Sequence, residues 1–354
     1  MLSIDGSQKS GSGTIIRYAL ALAALLGEEL HLTNIRAKRN QPGLRPQHLK
    51  AAEALSELCQ GMLKGGRISA SEITFKAGGG VKGGRFEWDI GTAGSTTMLV
   101  MTILPAACFA QGSTSFRITG GLFQDFAPSA HHMQYLLFPL LARMGLRAHL
   151  EIVCPGYVPR GGGIIEVKVE PVKGPLKPLS LLQQGQITGI EGIALSSHLK
   201  ERKVSERLAQ TCQKALQPQY RAQIRTIYDS TAIQAGAALA VWAHTSTGSI
   251  IGADMAGAPR RSSEEIAKRV ARSLLEDLAT GATVDRHLAD QLILYAALAE
   301  GVTEYLIPRM TEHVETNLWL VESILGVTTE VKGNRVSIRG MGYPVRAKGH
   351  LHHA

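Results

Sequence analysis

Apolar positions fall into a pattern that repeats: a helical stretch ends in Leu or Met, a glycine follows, and then a strand begins. Leu25-Leu26-Gly27 precedes 29–35, Arg143-Met144-Gly145 precedes 147–153, and Ile324-Leu325-Gly326 precedes 327–331. Leu58-Cys59-Gln60-Gly61 is a less clear fourth copy. Glycine just past a helix supplies the left-handed cap that other residues resist. The periodicity predicts helices at 13–26, 46–60, 93–110, 129–144, 200–216, 262–280, 285–299 and 312–325. Ser262 and Glu265 form a capping-box signature, and Gly281 stops that helix. Strands are predicted near 29–35, 72–77, 86–90, 114–119, 147–153, 164–170, 187–195, 236–243, 249–254, 302–307 and 335–338. Repeated helix-and-strand units of similar size give a modular α/β (α+β) domain. The Pro- and Lys-rich 171–186 segment reads as a connector, and the stretch after it, to about 280, as a smaller inserted α/β domain. The expected division is a discontinuous main domain, 1–183 and 281–340, an insert at 184–280, and a tail at 341–354.

Bulk numbers narrow the class. At 354 residues, 44% hydrophobic and 19% charged, the chain reads as a soluble globular protein. Its net charge of +9 favours a polyanionic partner, although 5% aromatic content gives little material for base stacking. Cys59, Cys108, Cys154 and Cys212 are far apart with no Cys-x-x-Cys, which argues against a thiolate zinc site and fits a reducing, cytoplasmic setting. No basic segment precedes an apolar one at the start, so no signal peptide is expected. The longest apolar run, 98–110, contains Thr102 and Pro105 and falls short of the ~20 residues that span a bilayer.

Several stretches could carry chemistry. Residues 36–50 hold five Lys/Arg and no acid where a strand joins a helix, which suits either a phosphate-binding loop or a solvated basic one. Asp5 to Gly13, followed by Arg17, could cradle another anion, but neither it nor 78–84 is a Walker A loop. Residues 91–97 could bind phosphate or simply cap a helix. The Gly161-Gly162-Gly163 run is either a flexible hairpin tip or backbone that must turn sharply or approach something closely. Asp290-Gln291 is a polar pair inside an apolar helix, and its carboxylate needs a partner, either a ligand or an Arg. His313 begins a helix, where the dipole favours the neutral, nucleophilic imidazole; the residue type alone also fits a capping histidine. His131-His132 lacks an acid at metal-ligand spacing and reads as a solvated helix face.

Taken in order, these pieces resemble the RNA 3′-terminal phosphate cyclase family over roughly residues 3–340. The matching residues are Asp5-Gly6-x-Gln8 with Gly11, Gly13 and Arg17; Ile35-Arg36-Ala37-x-Arg39; Pro42-Gly43-Leu44 with Gln47-His48-Leu49; Gly91-x-Ala93-Gly94-Ser95; Gly120-Gly121; Gly156 with Pro159-x-Gly161-Gly162-Gly163; Leu288-Ala289-Asp290-Gln291-Leu292; and His313 with Thr316-Asn317. The resemblance implies a main domain of repeated helix-and-sheet units, shared with enolpyruvyl transferases, plus the small insert. It implies conversion of an RNA 3′-phosphate to a 2′,3′-cyclic phosphate, with ATP as substrate and a divalent metal, Mg or Mn. His313 would carry AMP covalently. Arg17, Arg36, Arg39 and Gln47 would hold phosphates or RNA, and His287, Leu288, Ala289, Asp290 and Gln291 would line the nucleotide pocket. The implied partner is RNA with a 3′-phosphate end, with no membrane and with oligomeric state left open.

This chain also departs from the family pattern. Ser10 stands where Glu is usual, Thr14 and Met101 where Gln is usual, and His287 where Tyr is common. Pro155 replaces a basic residue, and Gly121-Leu122-Phe123-Gln124-Asp125 replaces a Gly-Gly-Thr-Asp-like segment. These changes leave metal ligands and nucleotide preference open. They also keep two alternatives alive: a non-catalytic cyclase-like RNA-processing or ribosome-assembly protein, and an enolpyruvyl transferase.

Overall fold

The computed structural model describes residues 1–217 and 219–344. Most of the expected 341–354 tail lies outside the described residues.

One topology occurs three times. In the first unit, strand Leu2–Asp5 leads through helix Gly13–Leu26 to the parallel strand Glu29–Thr33. Helix Pro46–Leu58 then leads to Met62–Lys64 and Ile73–Lys76, which add antiparallel with Ile73–Lys76 inside. The second sheet repeats the order with Gly84–Asp89, Thr114–Gly120, Gly163–Glu170 and Arg147–Cys154. The third does so with Ser180–Leu181, Glu300–Leu306, Arg335–Met341 and Thr328–Lys332. Helices Gly13–Leu26 and Glu312–Leu325 end as their sequences dictate, on Gly27 and Gly326 in left-handed geometry. The three units share a large apolar core.

Between the first strand of the third unit and its first helical segment, which the structure splits into Leu288–Gln291 and Ile293–Leu298, the chain builds a fourth sheet in the order Ala222–Asp229, Ile187–Ser197, Gly236–Thr245, Ile250–Ala256. Helices Val204–Leu216 and Ser263–Ala279 cover one face around their own apolar cluster, which includes Leu208, Cys212, Leu239, Val241, Ile266 and Leu274. The other face rests on the main core, where Trp242 stacks on Tyr135 with ring centroids 4.4 Å apart.

Some expectations fail in detail. The 129–144 helix is broken into Ala130–His132, a π-helical turn at Met133–Leu137, and Phe138–Arg143. The glycine run is no flexible tip: Gly161 and Gly162 take φ of +69° and +68°. A Cβ on Gly163 would lie 2.4 Å from the Gly156 nitrogen, so both readings of tight backbone hold there. The His131-His132 pair is buried rather than solvated, at 4% and 1% exposure. Among the described residues no helix is long and apolar enough to cross a membrane.

Candidate active site

The site is assembled where the first and last helices meet. The Ser12 hydroxyl caps the start of the first helix, and Thr311 Oγ1 accepts from the Val314 N–H at the start of the last. Thr14 Oγ1 donates to Asn317 Oδ1 (2.9 Å), and the Ser10 N–H donates to Thr316 Oγ1 (3.2 Å). Asn317 is fully buried and donates onward to the Asp290 carbonyl (3.2 Å). These bonds fix residues 10–17, 290 and 313–317 relative to one another.

The result is a cavity of about 430 Å³, a size that suits a small-molecule site. Arg17, Arg36, Arg39, Gln47, His287, Asp290, Gln291 and His313 all line it. Leu288 and Ala289 do not, because both are wholly buried in the core behind the wall. The sequence reading named neither His48 as a site residue nor the apolar wall of Met98, Phe126 and Pro128. His48 was inside the quoted Gln47-His48-Leu49 motif, which was the available signal.

The basic side is held from several elements. Arg36, at φ +53°, donates from Nη1 to the carbonyls of Gln41 (2.6 Å) and Gly43 (3.0 Å), which curls the loop over the cleft. Arg17 is 8% exposed and its Nε has no hydrogen-bond partner among the described residues. A buried guanidinium with a spare donor, lining a cavity, is suited to an anion. The Ser95 N–H donates to Gln47 Oε1 (3.0 Å), anchoring that side chain to the next helix start.

Charge is tuned across the cleft. Burial, then Arg17, Arg36 and Arg45, pushes His48 down to about 3, so the ring is neutral. Its Nδ1 accepts from the Arg45 N–H (3.3 Å), which leaves the proton on Nε2, beside Gly13. For His313, burial in the cleft wall, then Arg17 and Arg39, lowers the midpoint from 6.5 to about 4. Its outer edge is open to solvent. Burial lifts Asp290 to about 7 even though Arg17 pulls the other way. Two groups with oppositely displaced titrations thus share one cleft, an arrangement common at functional sites. Gln291 is 3% exposed and its Oε1 has no partner among the described residues.

Among the described residues no group of three or more His, Cys, Asp or Glu side chains is arranged to hold a metal ion. Ser10, which stands at a position considered for a metal or phosphate ligand, is buried and shares its hydroxyl with Ser12 (2.9 Å).

A family model described as RNA 3′-terminal phosphate cyclase matches residues 8–331. The RNA 3′-terminal phosphate cyclase of Nitrosospira multiformis is 36% identical over 352 residues, covering 98% of this chain and 97% of the relative. The protein of that name from Pyrobaculum neutrophilum is 35% identical, covering 96% of this chain and 99% of its own length. The one from Methanopyrus kandleri is 34% identical, at 94% and 96% coverage.

Proposed function

The chain belongs to the RNA 3′-terminal phosphate cyclase family, and from that premise we propose that its cleft uses ATP to close an RNA 3′-phosphate into a 2′,3′-cyclic phosphate through a covalent adenylate on His313. The observation that carries this reading is the convergence of a neutral, solvent-reachable His313 with Arg17, Arg36 and Arg39 on one cavity.

A ring nitrogen of His313 attacks the α-phosphorus of ATP, and pyrophosphate leaves. An oxygen of the RNA 3′-phosphate then displaces the histidine and takes up AMP. The neighbouring 2′-hydroxyl attacks the terminal phosphorus, losing its proton, and AMP departs. Arg17, Arg36 and Arg39 hold the phosphate oxygens and offset charge as it shifts, and the His48 Nε2–H adds a neutral donor. The Gln47 side chain faces the same phosphates. His287 offers a ring for stacking on the nucleobase, with Asp290 and Gln291 as polar contacts, while Leu288 and Ala289 back that wall. A divalent ion would be held by the triphosphate's own oxygens rather than by a set of protein ligands, and would neutralise charge on the leaving pyrophosphate. We take 184–280 as an inserted domain and 1–183 with 281–340 as the main one.

Intact-protein mass spectrometry after incubation with ATP and Mg²⁺ or Mn²⁺ tests this. The expected result is an AMP adduct on the wild type that is absent from His313→Ala. An RNA ending in a 3′-phosphate should then become resistant to phosphatase. A folded wild type that acquires no adduct with either metal would overturn the covalent step.

A further inference from the structure

Behind the nucleotide wall lies an ion pair that the chemistry above does not use. His132 Nε2 sits 3.2 Å from both oxygens of Asp285, and their side chains are 1% and 0% exposed. The carboxylate also gathers backbone donors. Asp285 Oδ1 accepts from the N–H groups of His287 (2.8 Å) and Leu288 (2.9 Å), and Oδ2 accepts from the Gly252 N–H (3.2 Å). One carboxylate therefore ties together the 130–143 helical segment, strand Ile250–Ala256 of the fourth sheet, and the turn that carries His287, Asp290 and Gln291 into the cleft.

The arrangement reaches the cleft through one ring. The His132 imidazole stands edge-on to that of His287, with centroids 5.6 Å apart and planes at 90°. His287 separates the cleft from an adjoining cavity of about 320 Å³, which it shares with Phe126. Its orientation thus shapes both spaces. Burial disfavours the charged form of His132, but Asp285 outweighs it and raises the midpoint; burial and then that charge oppose protonation of His287. Asp254 on the neighbouring strand and Asp285 itself pull His287 the other way, and the Arg286 guanidinium, engaged with Asp277, adds to the opposition. An apolar pair would join these segments without the desolvation cost of two buried charges. What the ionic pair adds is direction: hydrogen bonds that fix the turn and an imidazole edge set against the His287 ring.

We propose that His132 and Asp285 form a positioning pair for the nucleotide side of the cleft, locking the 286–291 turn to the fourth sheet and holding the His287 ring in one orientation against the nucleobase. This rests on the reading of the cleft as an ATP site.

The test is the double variant His132→Phe/Asp285→Asn, which removes both charges and so leaves neither buried alone. ATP affinity is read by equilibrium binding in a His313→Ala background, and adenylation kinetics in the His313 protein, with thermal unfolding as the check on folding. The expected loss of ATP affinity is about tenfold, the scale of one hydrogen bond to a charged group, with KM rising in step. At saturating ATP the adenylation rate should change far less, because His313 and the arginines are untouched. A cooperatively folded double variant with wild-type KM would overturn the positioning role, as would one whose loss falls on kcat alone. A parent protein that binds no ATP would instead overturn the functional reading beneath it.

Discussion

Titration of His313 probes the electrostatics of the cleft directly. Burial disfavours the imidazolium, and Arg17 and Arg39 repel it, so the free base persists as pH falls from 6.5 to about 4. At pH 5, a midpoint of 4 leaves about 90% of the ring neutral, whereas a midpoint of 6.5 leaves about 3%, roughly a thirtyfold difference in neutral imidazole. The assay is NMR of ring-labelled protein without nucleotide, assigned by difference with His313→Asn. Arg39→Gln removes one cation and should raise the midpoint, though not to 6.5, because burial and Arg17 remain. The linkage has a definite sign. Between 6.5 and 4 the unfolded chain takes up a proton that the folded ring does not. The ring's contribution to stability is thus full above 6.5 and is lost as pH falls toward 4, with the open edge keeping it small. A wild-type midpoint at or above 6.5, or one that Arg39→Gln leaves in place, would refute the reasoning.

Three other substitutions have defined outcomes. Gly13→Ala would put a Cβ 2.4 Å from His48 Nε2, so it should cost about 1–3 kcal/mol by overpacking and lower adenylation, read by chemical denaturation and adduct formation. Asp290→Asn should leave Tm nearly unchanged at pH 4 and raise it at pH 8. The raised midpoint of about 7 means the folded state holds a proton that the unfolded chain releases above 3.8, and that stability disappears as pH climbs through 7. A lower Tm at pH 8 would contradict this. Asn317→Ala strands the Thr14 hydroxyl and should cost about 1–3 kcal/mol of unfolding free energy, with loss of adduct formation as the cleft walls part.

Much of this was legible in sequence because the signals were local. The helices at 13–26 and 312–325 carry their own caps, and the glycine-terminated repeat pointed to a modular α/β domain; it did not give the three units, because Gly27 follows the first helix of its unit whereas Gly145 and Gly326 follow the second. What escaped depended on distant partners. Strand Ala222–Asp229 lies at a sheet edge with largely exposed residues, so it lacks the apolar face that betrays a strand. Ser180–Leu181 has only two residues and exists by pairing with Glu304 and Tyr305. His132 looked solvated because the acid that balances it is 153 residues away. The cleft residues carried over from the family motifs do meet in space, except that Leu288 and Ala289 face the core. A motif quoted as a string does not say which of its side chains turn outward.

The bonds joining the first helix to the last have a consequence for how the protein comes into being. Ser10 and Thr14 find their partners at Thr316 and Asn317, separations of 306 and 303 residues. During synthesis the first sheet and its arginines can form early, but the cleft cannot close until the last helix has been made. Closure over so long a span is entropically costly and late. A chain that stops short of the last helix therefore displays the basic loop and Arg17 with no facing wall, and the cleft exists only once both ends of this pairing are present.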